Sequence, residues 1–492
     1  MKLTPDPMPM KKNLQTLAIA ILGLVLATFK LSAQNTWYSK GDLTFNNPAN
    51  WNSLSDGTGA NASIFSAGDS LIIQPGHTMS LNGGFSTASV NITIQDGGTI
   101  NFNGWGVSGA GTLTLHGLGE NSLGALINSS STQAPCSKAI TIGSPSSIGG
   151  TGNISISSLI SGSQSLLKVG NGGLTLAGAN TFSGGISISS GTLNIDNNSA
   201  LGTGTWSIIG NCTINAINSA RTISNPISIS SSFTFTGTQN LSQQTGAIAL
   251  TTSPSISVSS NTLALGGNVS GAFALTKSGF GTLTLSGANT FTGGVSLTSG
   301  TLKIDHDSAL GIGVFTVSGG TVDAITTART ISNPISITAS FTFTGTQNLI
   351  QQTGAISLTT SPTITTTFKQ FNIFGIISGA FGITKAGTGS MTFAGANTYT
   401  GTTIISAGTL TLGAAGVIPD GSAVTVSSGA TLAMNGFSET VGSIAGAGNI
   451  SSASGNPVLT CGGDHSSTTF SGILGSGAIS LVKIGSGTLT LS

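Results

Sequence analysis

The sequence repeats itself at long range. Copies of one pattern begin at Lys168, Lys277 and Lys385, with offsets of 109 and 108 residues, and each runs through a glycine-rich turn and Gly-Ala-Asn-Thr to Gly-Thr-Leu. Residues 221–226 and 329–334 both read RTISNP, so the similarity extends between the copies. A chain with such repeats stacks equivalent units. The repeat therefore constrains the fold more than any other feature.

A shorter period lies inside the long one. Gly281, Gly300 and Gly320 are 19 and 20 residues apart, and each opens a short segment in which apolar and polar residues alternate. Gly389, Gly408 and Gly429 repeat the arrangement at spacings of 19 and 21 residues. Such alternation indicates half-buried strands. A strand and corner repeated about every 20 residues predicts one turn of a parallel β-helix, an all-β solenoid.

A string of immunoglobulin-like sandwiches is the main alternative, since about 100 residues is the usual size of such a domain. The 20-residue period and the lack of a core tryptophan in each copy argue against it. Residues 34–492 would give roughly 20 turns. Because stacked strands lie about 4.8 Å apart, the solenoid would be a rod on the order of 100 Å long.

The long pattern resembles a known family. The string K-x-G-x-G-x-L-T-L-x-G-A-N-T-[FY]-x-G, followed by G-T-L, is complete at 168–195, 277–304 and 385–412, and a partial copy begins at Lys483. It resembles the autotransporter-associated β-strand repeat, also called the passenger-associated transport repeat. The resemblance implies a right-handed parallel β-helix in the passenger of a bacterial surface protein, often adhesive, and it implies no catalytic residues.

The N-terminus predicts export. Three lysines, Lys2, Lys11 and Lys12, precede an apolar run from Leu17 to Ala27, and a small-residue cleavage site ends at Ala33. Eleven apolar residues are too few to cross a bilayer, which takes about 20. Residues 1–33 are therefore predicted to be a signal peptide. We expect a secreted or surface-exposed protein without a membrane-spanning segment in the mature chain.

Charge and cysteine content narrow the function classes. Removal of residues 1–33 leaves 10 basic and 12 acidic residues, a net charge of −2, and no basic run that would bind nucleic acid. Cys136, Cys212 and Cys461 are far apart in sequence, so no disulfide framework is expected. We interpret them as small buried side chains.

Residues 34–120 differ from the repeats and contain three of the four tryptophans. We predict that this stretch is a β-rich capping module, because the end of a solenoid exposes unpaired strand edges. Trp37, Tyr38 and Trp51 are the candidate ligand-binding residues, as a platform for stacking sugars. Burial in the core of the module is the alternative interpretation.

Catalytic and metal-binding residues are sparse. No carboxylate lies between Asp196 and Asp305, whereas glycoside hydrolysis needs two that are about 5–10 Å apart. The best cluster is Asp305-His306-Asp307, which would suit Ca²⁺ or, in a sugar-cleaving enzyme, catalysis; a solvated corner is the simpler interpretation. The same holds for Cys461-Gly-Gly-Asp464-His465, which lacks partners nearby. We predict no catalytic, metal or cofactor site.

The motif itself carries three kinds of conspicuous residue. Asparagine recurs at 180, 289 and 397, and we expect it to form corners in the left-handed region with bonds to its own turn. An aromatic residue follows as Phe182, Phe291 and Tyr399 and is expected in the core or at a corner. The lysines at 168, 277, 385 and 483 are expected to be exposed charges that discourage strand pairing at edges.

These observations favour a structural, adhesin-like β-helix passenger that has no catalytic activity and works through length, stiffness and surface chemistry. One alternative is a carbohydrate-binding surface protein that uses the tryptophan-rich module, and a further one is a polysaccharide lyase or hydrolase. The expected partners are secretion machinery and an extracellular or cell-surface polysaccharide. We also expect the natural chain to continue beyond Ser492, because the copy that begins at Lys483 would reach its asparagine only at position 495.

Overall fold

A computed structural model describes residues 34–86, 89–475 and 478–492. Within these ranges the chain forms 56 short strands and two 3-10 helices, Pro48–Asn50 and Glu120–Ser122. The strands join five sheets of 16, 15, 14, 8 and 3 strands, numbered here 1 to 5 in that order. The predicted signal peptide lies outside the described residues.

The strands of each sheet are as follows. Sheet 1 contains Thr36–Ser39, Trp51–Asn52, Ser70–Ile73, Thr78–Ser80, Asn91–Ile94, Thr99–Asn101, Thr112–Gly117, Leu126–Asn128, Ala139–Gly150, Ile160–Ser161, Leu166–Lys168, Ile186–Ile188, Trp206–Ile208, Ile227–Ile229, Ile248–Leu250 and Val269–Ser270. Sheet 2 contains Phe85–Ser86, Val107–Ser108, Ala134–Cys136, Ile154–Ile156, Gly173–Leu176, Thr192–Ile195, Cys212–Ala216, Phe233–Phe235, Ser255–Val258, Leu275–Ser278, Val295–Leu297, Phe315–Val317, Ile335–Ile337, Ile356–Leu358 and Ile377–Ser378.

The three remaining sheets lie further along the chain. Sheet 3 contains Arg221–Ile223, Leu241–Gln243, Thr262–Leu265, Thr282–Leu285, Thr301–Ile304, Thr321–Ala324, Phe341–Phe343, Thr363–Thr366, Ile383–Ala386, Thr403–Ile405, Val424–Val426, Ile444–Gly446, Thr468–Phe470 and Leu489–Leu491. Sheet 4 contains Arg329–Ile331, Leu349–Gln351, Phe371–Ile373, Ser390–Phe393, Thr409–Leu412, Thr431–Ala433, Asn449–Ser451 and Ile473–Leu474. Sheet 5 contains Glu439–Val441, Val458–Cys461 and Ser480–Lys483.

Successive turns of the chain stack in parallel register. Leu283, for example, lies opposite Leu263 of the preceding turn and Leu302 of the following one. A regular turn gives one strand to each of three sheets, and the stack has about 20 turns. Among the described strand pairs, the antiparallel one joins Thr36–Ser39 to Trp51–Asn52. The predicted β-solenoid is therefore confirmed, and the sandwich alternative is wrong.

The core is a continuous column of apolar side chains along the axis. In the strand Thr301–Ile304, Leu302 and Ile304 are fully buried, whereas Thr301 and Lys303 are half-buried on the outer face. The same alternation recurs from strand to strand, as the sequence pattern predicts. Each buried leucine or isoleucine contributes roughly 1.5–3 kcal/mol, so stability is distributed along the rod.

Each long repeat covers five turns and one third of another. Lys168 lies in sheet 1, and the chain adds five further strands to that sheet before it reaches Lys277 in sheet 2. It then adds five further strands to sheet 2 before Lys385 in sheet 3. Equivalent residues of consecutive motif copies therefore lie on successive faces of the rod.

Each copy also interrupts one face of the rod for two turns. Sheet 1 ends at Val269–Ser270. The next strand on that face is Arg329–Ile331, which begins sheet 4. In the same way, sheet 2 ends at Ile377–Ser378 and sheet 5 begins at Glu439–Val441. The two intervening turns cross that face as non-strand segments, and the first of them contains the Gly-Ala-Asn-Thr sequence.

The N-terminal end is closed by aromatic packing. Phe45 makes edge-to-face contacts with Trp51 and Phe85, with ring centroids 5.2 and 4.7 Å apart, and Phe65 lies 6.0 Å from both Trp51 and Phe85. The parallel stack already begins here, because Thr36–Ser39 pairs with Ser70–Ile73. The boundaries of a separate capping module at 34–120 remain a prediction.

Candidate functional site

The lysines of the three complete motif copies are buried, and the prediction that they are exposed edge charges is wrong. Lys168, Lys277 and Lys385 are 1%, 0% and 2% exposed. The reason is register: Lys277 lies two residues after the buried Leu275 and therefore points inward with it. Lys483, in the partial copy, is exposed and contacts the carbonyl groups of Ile484 and Gly485.

Each buried ammonium group sits in a cage of backbone carbonyl groups. Lys277 Nζ donates to the oxygens of Ser278, Gly279 and Ser299 at 2.8, 2.8 and 3.1 Å. Lys168 and Lys385 have equivalent cages. Burial lowers the pKa of each of these three lysines to about 8. The cage joins two successive turns, since Ser299 belongs to the turn after Lys277.

The cage explains why glycine opens the following Gly-Thr-Leu. A Cβ atom on Gly300 would lie 2.7 Å from Lys277 Nζ and 2.2 Å from the oxygen of Gly279, and Gly300 has a φ of +70°. Gly191 and Gly408 meet the same restrictions beside Lys168 and Lys385. The motif lysine and the glycine 23 residues later are thus one structural unit.

The motif asparagines bridge three turns of the rod. Asn289 Oδ1 accepts from the Val269 N–H at 2.7 Å, and its Nδ2 donates to the Ala309 oxygen at 2.6 Å. Asn180 and Asn397 make the equivalent pairs of bonds. The expected positive φ and own-turn bonding are wrong, because these asparagines continue the hydrogen bonding between turns where the strand ladder stops.

The aromatic residues of the motif lie in the core, as predicted. Phe182, Phe291 and Tyr399 are all fully buried. The Tyr399 hydroxyl has a partner in Thr403 Oγ1 at 2.6 Å, which in turn contacts Ser422 Oγ at 2.9 Å. Burial raises the pKa of Tyr399.

The Asp305-His306-Asp307 segment connects neighbouring turns. Asp305 Oδ1 accepts from the Arg329 guanidinium at 2.6 Å, and Asp307 Oδ1 accepts from the Thr330 N–H at 3.0 Å. His306 Nδ1 accepts from the Ser308 N–H. In the preceding copy, Asp196 pairs with Arg221 in the same manner. The described residues contain no group of three or more His, Cys, Asp or Glu that could hold a metal ion.

The polar groups of the Cys461-Gly-Gly-Asp464-His465 segment do not converge on a common site. Cys461 is buried, and Asp464 Oδ2 accepts from Ser443 Oγ at 2.6 Å. His465 Nδ1 lies 3.2 Å from both the backbone nitrogen and the Oγ of Ser486. Cys136 and Cys212 are buried as well, and burial raises the pKa of both thiols to about 11. The interpretation of the cysteines as small buried side chains is confirmed.

The three aromatic residues of the N-terminal module lie in different surroundings. Trp51 is fully buried, and its Nε1 donates to the Phe45 oxygen at 3.0 Å. Trp37 is half-buried, and its Nε1 donates to Asp69 Oδ2 at 3.1 Å. Tyr38, also half-buried, is the next residue in the same strand and points to the opposite side. Trp37 and Tyr38 retain exposed surface.

Two equivalent hollows lie where a motif copy interrupts a face. One, of about 360 Å³, is lined by Asn198, Thr222 and Asn225 among others. The second, of about 390 Å³, is lined by the counterparts of these residues, Asp307, Thr330 and Asn333. Sequence reasoning did not find these hollows, although the repeated RTISN segments at 221–225 and 329–333 mark them.

Comparison with known proteins identifies the repeat. The family model of the Passenger-associated-transport-repeat matches residues 166–195, 275–304, 383–412 and 481–492. The chain carries passenger-associated transport repeats. Their first residues, such as Leu275, open the strand that holds the caged lysine, and their last, such as Ile304, close the strand after the caging glycine. The resemblance inferred from the sequence is confirmed.

A curated relative adds a second finding. The chain is 35% identical over 147 residues to the adhesin BmaC autotransporter of Brucella suis biovar 1 (strain 1330). The match covers 29% of this chain and 4% of the relative, so the chain spans a small part of that protein's length. No solved structure matches this chain. In the described ranges, no helix is long and apolar enough to cross a membrane.

Proposed function

We propose that this protein is an adhesin-like passenger, exported and exposed at the cell surface, which acts as a rigid scaffold without catalysis. The observation that carries the proposal is the building of passenger-associated transport repeats into one continuous β-solenoid. The similarity to part of an autotransporter adhesin supports it. Secretion machinery is then the expected partner during export, directed by the proposed signal peptide at 1–33.

The chemistry of the described residues supports a scaffold. Asp196 and Asp305 are held in ion pairs with Arg221 and Arg329, which join neighbouring turns. Glu439, whose pKa is raised by burial to about 7, is 2% exposed and accepts from the N–H groups of Val417 and Ile418. Carboxylates in such positions hold the rod together, whereas a catalytic carboxylate must reach a substrate.

The test is surface labelling combined with adhesion. Antibodies raised against the purified chain should label intact cells that express it, and external protease should remove the label. Beads coated with the chain should adhere to surfaces that beads coated with an unrelated β-solenoid do not bind. Labelling only after lysis would contradict surface exposure, and equal adhesion of both bead types would contradict the adhesin role.

Carbohydrate binding by the N-terminal module is a second candidate, favoured by the exposed surface that Trp37 and Tyr38 retain. A glycan array probed with the full chain and with a Trp37→Ala, Tyr38→Ala variant tests it. Binding that the variant loses supports this candidate. Binding that the variant keeps, or no binding, would contradict it. Trp51→Ala is unsuitable, because it would empty part of the core.

A further inference from the structure

The two equivalent hollows each contain an asparagine with an unused acceptor. Asn333 is 4% exposed, and its Nδ2 donates to the oxygens of Gly311 and Gly313 at 3.1 and 2.8 Å. Asn225 is 6% exposed and is held in the same manner by Gly202 and Gly204. Both side chains are therefore fixed in orientation by two bonds from the amide nitrogen.

The oxygen of each amide is the atom of the side chain that is left to bind a ligand. Neither Asn225 Oδ1 nor Asn333 Oδ1 accepts a hydrogen bond from the described part of the chain, and neither belongs to the partnerless polar atoms that the protein fully encloses. Both residues line their hollows. A nearly buried acceptor that is fixed and unpaired costs free energy unless a ligand or water donates to it.

The remaining lining is mostly polar and nearly free of charge, although the exposed side chain of Ile312 adds an apolar wall to the second hollow. The hydroxyl groups of Ser224 and Ser332 are exposed at the two rims and have no partner in the described residues. Asn198 in the first hollow corresponds to Asp307 in the second, and each uses its Oδ1 to accept a backbone N–H. Neither hollow has a cationic lining residue, which disfavours an anionic ligand. The volumes lie at the small end of ligand sites. Hydroxyl and amide groups without a cation suit a compact neutral polyol, whose hydroxyl groups can both donate and accept.

We propose that each hollow is a subsite for one or two rings of a neutral sugar, with a ligand hydroxyl or amide N–H donating to Asn225 Oδ1 or Asn333 Oδ1. This inference deepens the proposed surface function and rests on it. The first hollow lies on the face where sheet 3 begins, and the second on the face where sheet 4 begins. The two sites open a third of a turn apart, so one rod engages two strands of a polysaccharide from different sides.

Titration of the full chain with neutral mono- and disaccharides of glucose, galactose, mannose and N-acetylglucosamine tests this assignment. Saturation-transfer NMR identifies the sugar that binds, and calorimetry counts the sites. We expect two sites per chain. Ser224→Trp and Ser332→Trp, which fill the hollows from the exposed rim, should each remove one site, and the double variant should weaken binding at least tenfold. Thr252→Trp, at an exposed corner away from both hollows, is the matched control.

Circular dichroism verifies that all variants fold, so that lost binding reflects a blocked hollow. Sugar binding that survives in the double variant would overturn the assignment, as would a full chain that binds none of these sugars at millimolar concentration. These outcomes leave surface labelling and bead adhesion unaffected, so failure of the sugar sites is distinguishable from failure of the proposed function.

Discussion

At the residue scale, the least expected feature is a cation inside the core of a protein of low charge. Each caged lysine has three carbonyl oxygens as partners, as in Lys385 with Ala386, Gly387 and Ala407 at 2.9, 2.8 and 2.9 Å. Burying a charge is unfavourable unless it is hydrogen-bonded, and here the backbone supplies the bonds. The cage fixes the corner of one turn against the next.

Replacement of Lys277 by methionine should therefore destabilise the rod locally. Methionine fills a similar volume, but it removes a donor from three carbonyl groups of partly buried residues, of which Gly279 keeps a long bond from Ser299 Oγ. We therefore expect a loss of about 1–3 kcal/mol. Hydrogen exchange around residues 275–304 measures it. Lys303→Met, on the outer face of the same copy, should change stability by less than about 0.5 kcal/mol. Equal effects of the two substitutions would contradict the structural role of the cage.

The pH dependence of the same site has a defined sign. The pKa of Lys277 is about 8 in the folded chain and 10.5 for the ordinary side chain. Between these values the unfolded chain binds more protons, so the free energy of unfolding rises with pH. The stability difference between wild type and Lys277→Met should therefore grow by up to about 3 kcal/mol from pH 7.5 to 10.5. A constant or shrinking difference would show that the folded-state pKa is not lowered.

Tyr399 and Thr403 provide a second residue-scale test. In the other two copies the corresponding pairs are Phe182 with Ile186 and Phe291 with Val295, which have no hydroxyl groups. A hydroxyl group at position 403 therefore occurs in the copy that also has one at position 399, and the two are hydrogen-bonded. Thr403→Val alone should cost about 1–3 kcal/mol, because it removes the direct partner of a buried hydroxyl. Adding Tyr399→Phe should restore stability to within about 1 kcal/mol of wild type. A double-mutant cycle with no coupling would contradict this pairing.

How much of these sites the sequence could predict depends on register. The alternation of apolar residues after Gly281 predicts that Leu283 faces inward, and Leu283 is fully buried. The same alternation, counted from Leu275, also places Lys277 inside. The expectation of an exposed lysine followed from charge, which is the weaker guide where backbone carbonyl groups can cage an ammonium. The carbonyl cage and the acceptor of Asn333 depend on contacts between turns, which the spacing of residues alone does not show.

At the element scale, the unit is the turn, and each turn packs on its two neighbours. The strand Thr282–Leu285 pairs with Thr262–Leu265 on one side and Thr301–Ile304 on the other. Stability in such a stack is approximately a sum of terms from individual turns and from neighbouring pairs. Damage to one turn should therefore remain local.

Leu283→Asp tests this locality, because it places an unpaired carboxylate in the core. Protection from hydrogen exchange should fall near residues 260–310 and survive near residues 400–440. Thr282→Asp, on the half-exposed outer position next to it, is the matched control and should leave protection nearly unchanged. Uniform loss of protection along the chain would indicate one cooperative globule.

At the scale of the whole molecule, the sequence predicted the architecture well, because the 20-residue period of Gly281, Gly300 and Gly320 is the turn itself. The rotation by one third of a turn from one motif copy to the next was not predicted. It follows from a long repeat that is not a whole number of turns, and it distributes the interruptions, with their hollows, around the rod. A rod with sites on several sides suits a surface scaffold.

Small-angle X-ray scattering of residues 34–492 tests the central claim of an extended solenoid most directly. A stack of about 20 turns at about 4.8 Å per turn is a rod of about 100 Å, for which we predict a radius of gyration of about 30 Å. A compact globule with the same number of residues would have a radius of gyration of about 23 Å. The rod-like value with a maximum dimension near 100 Å supports the solenoid, and the globular value would contradict it.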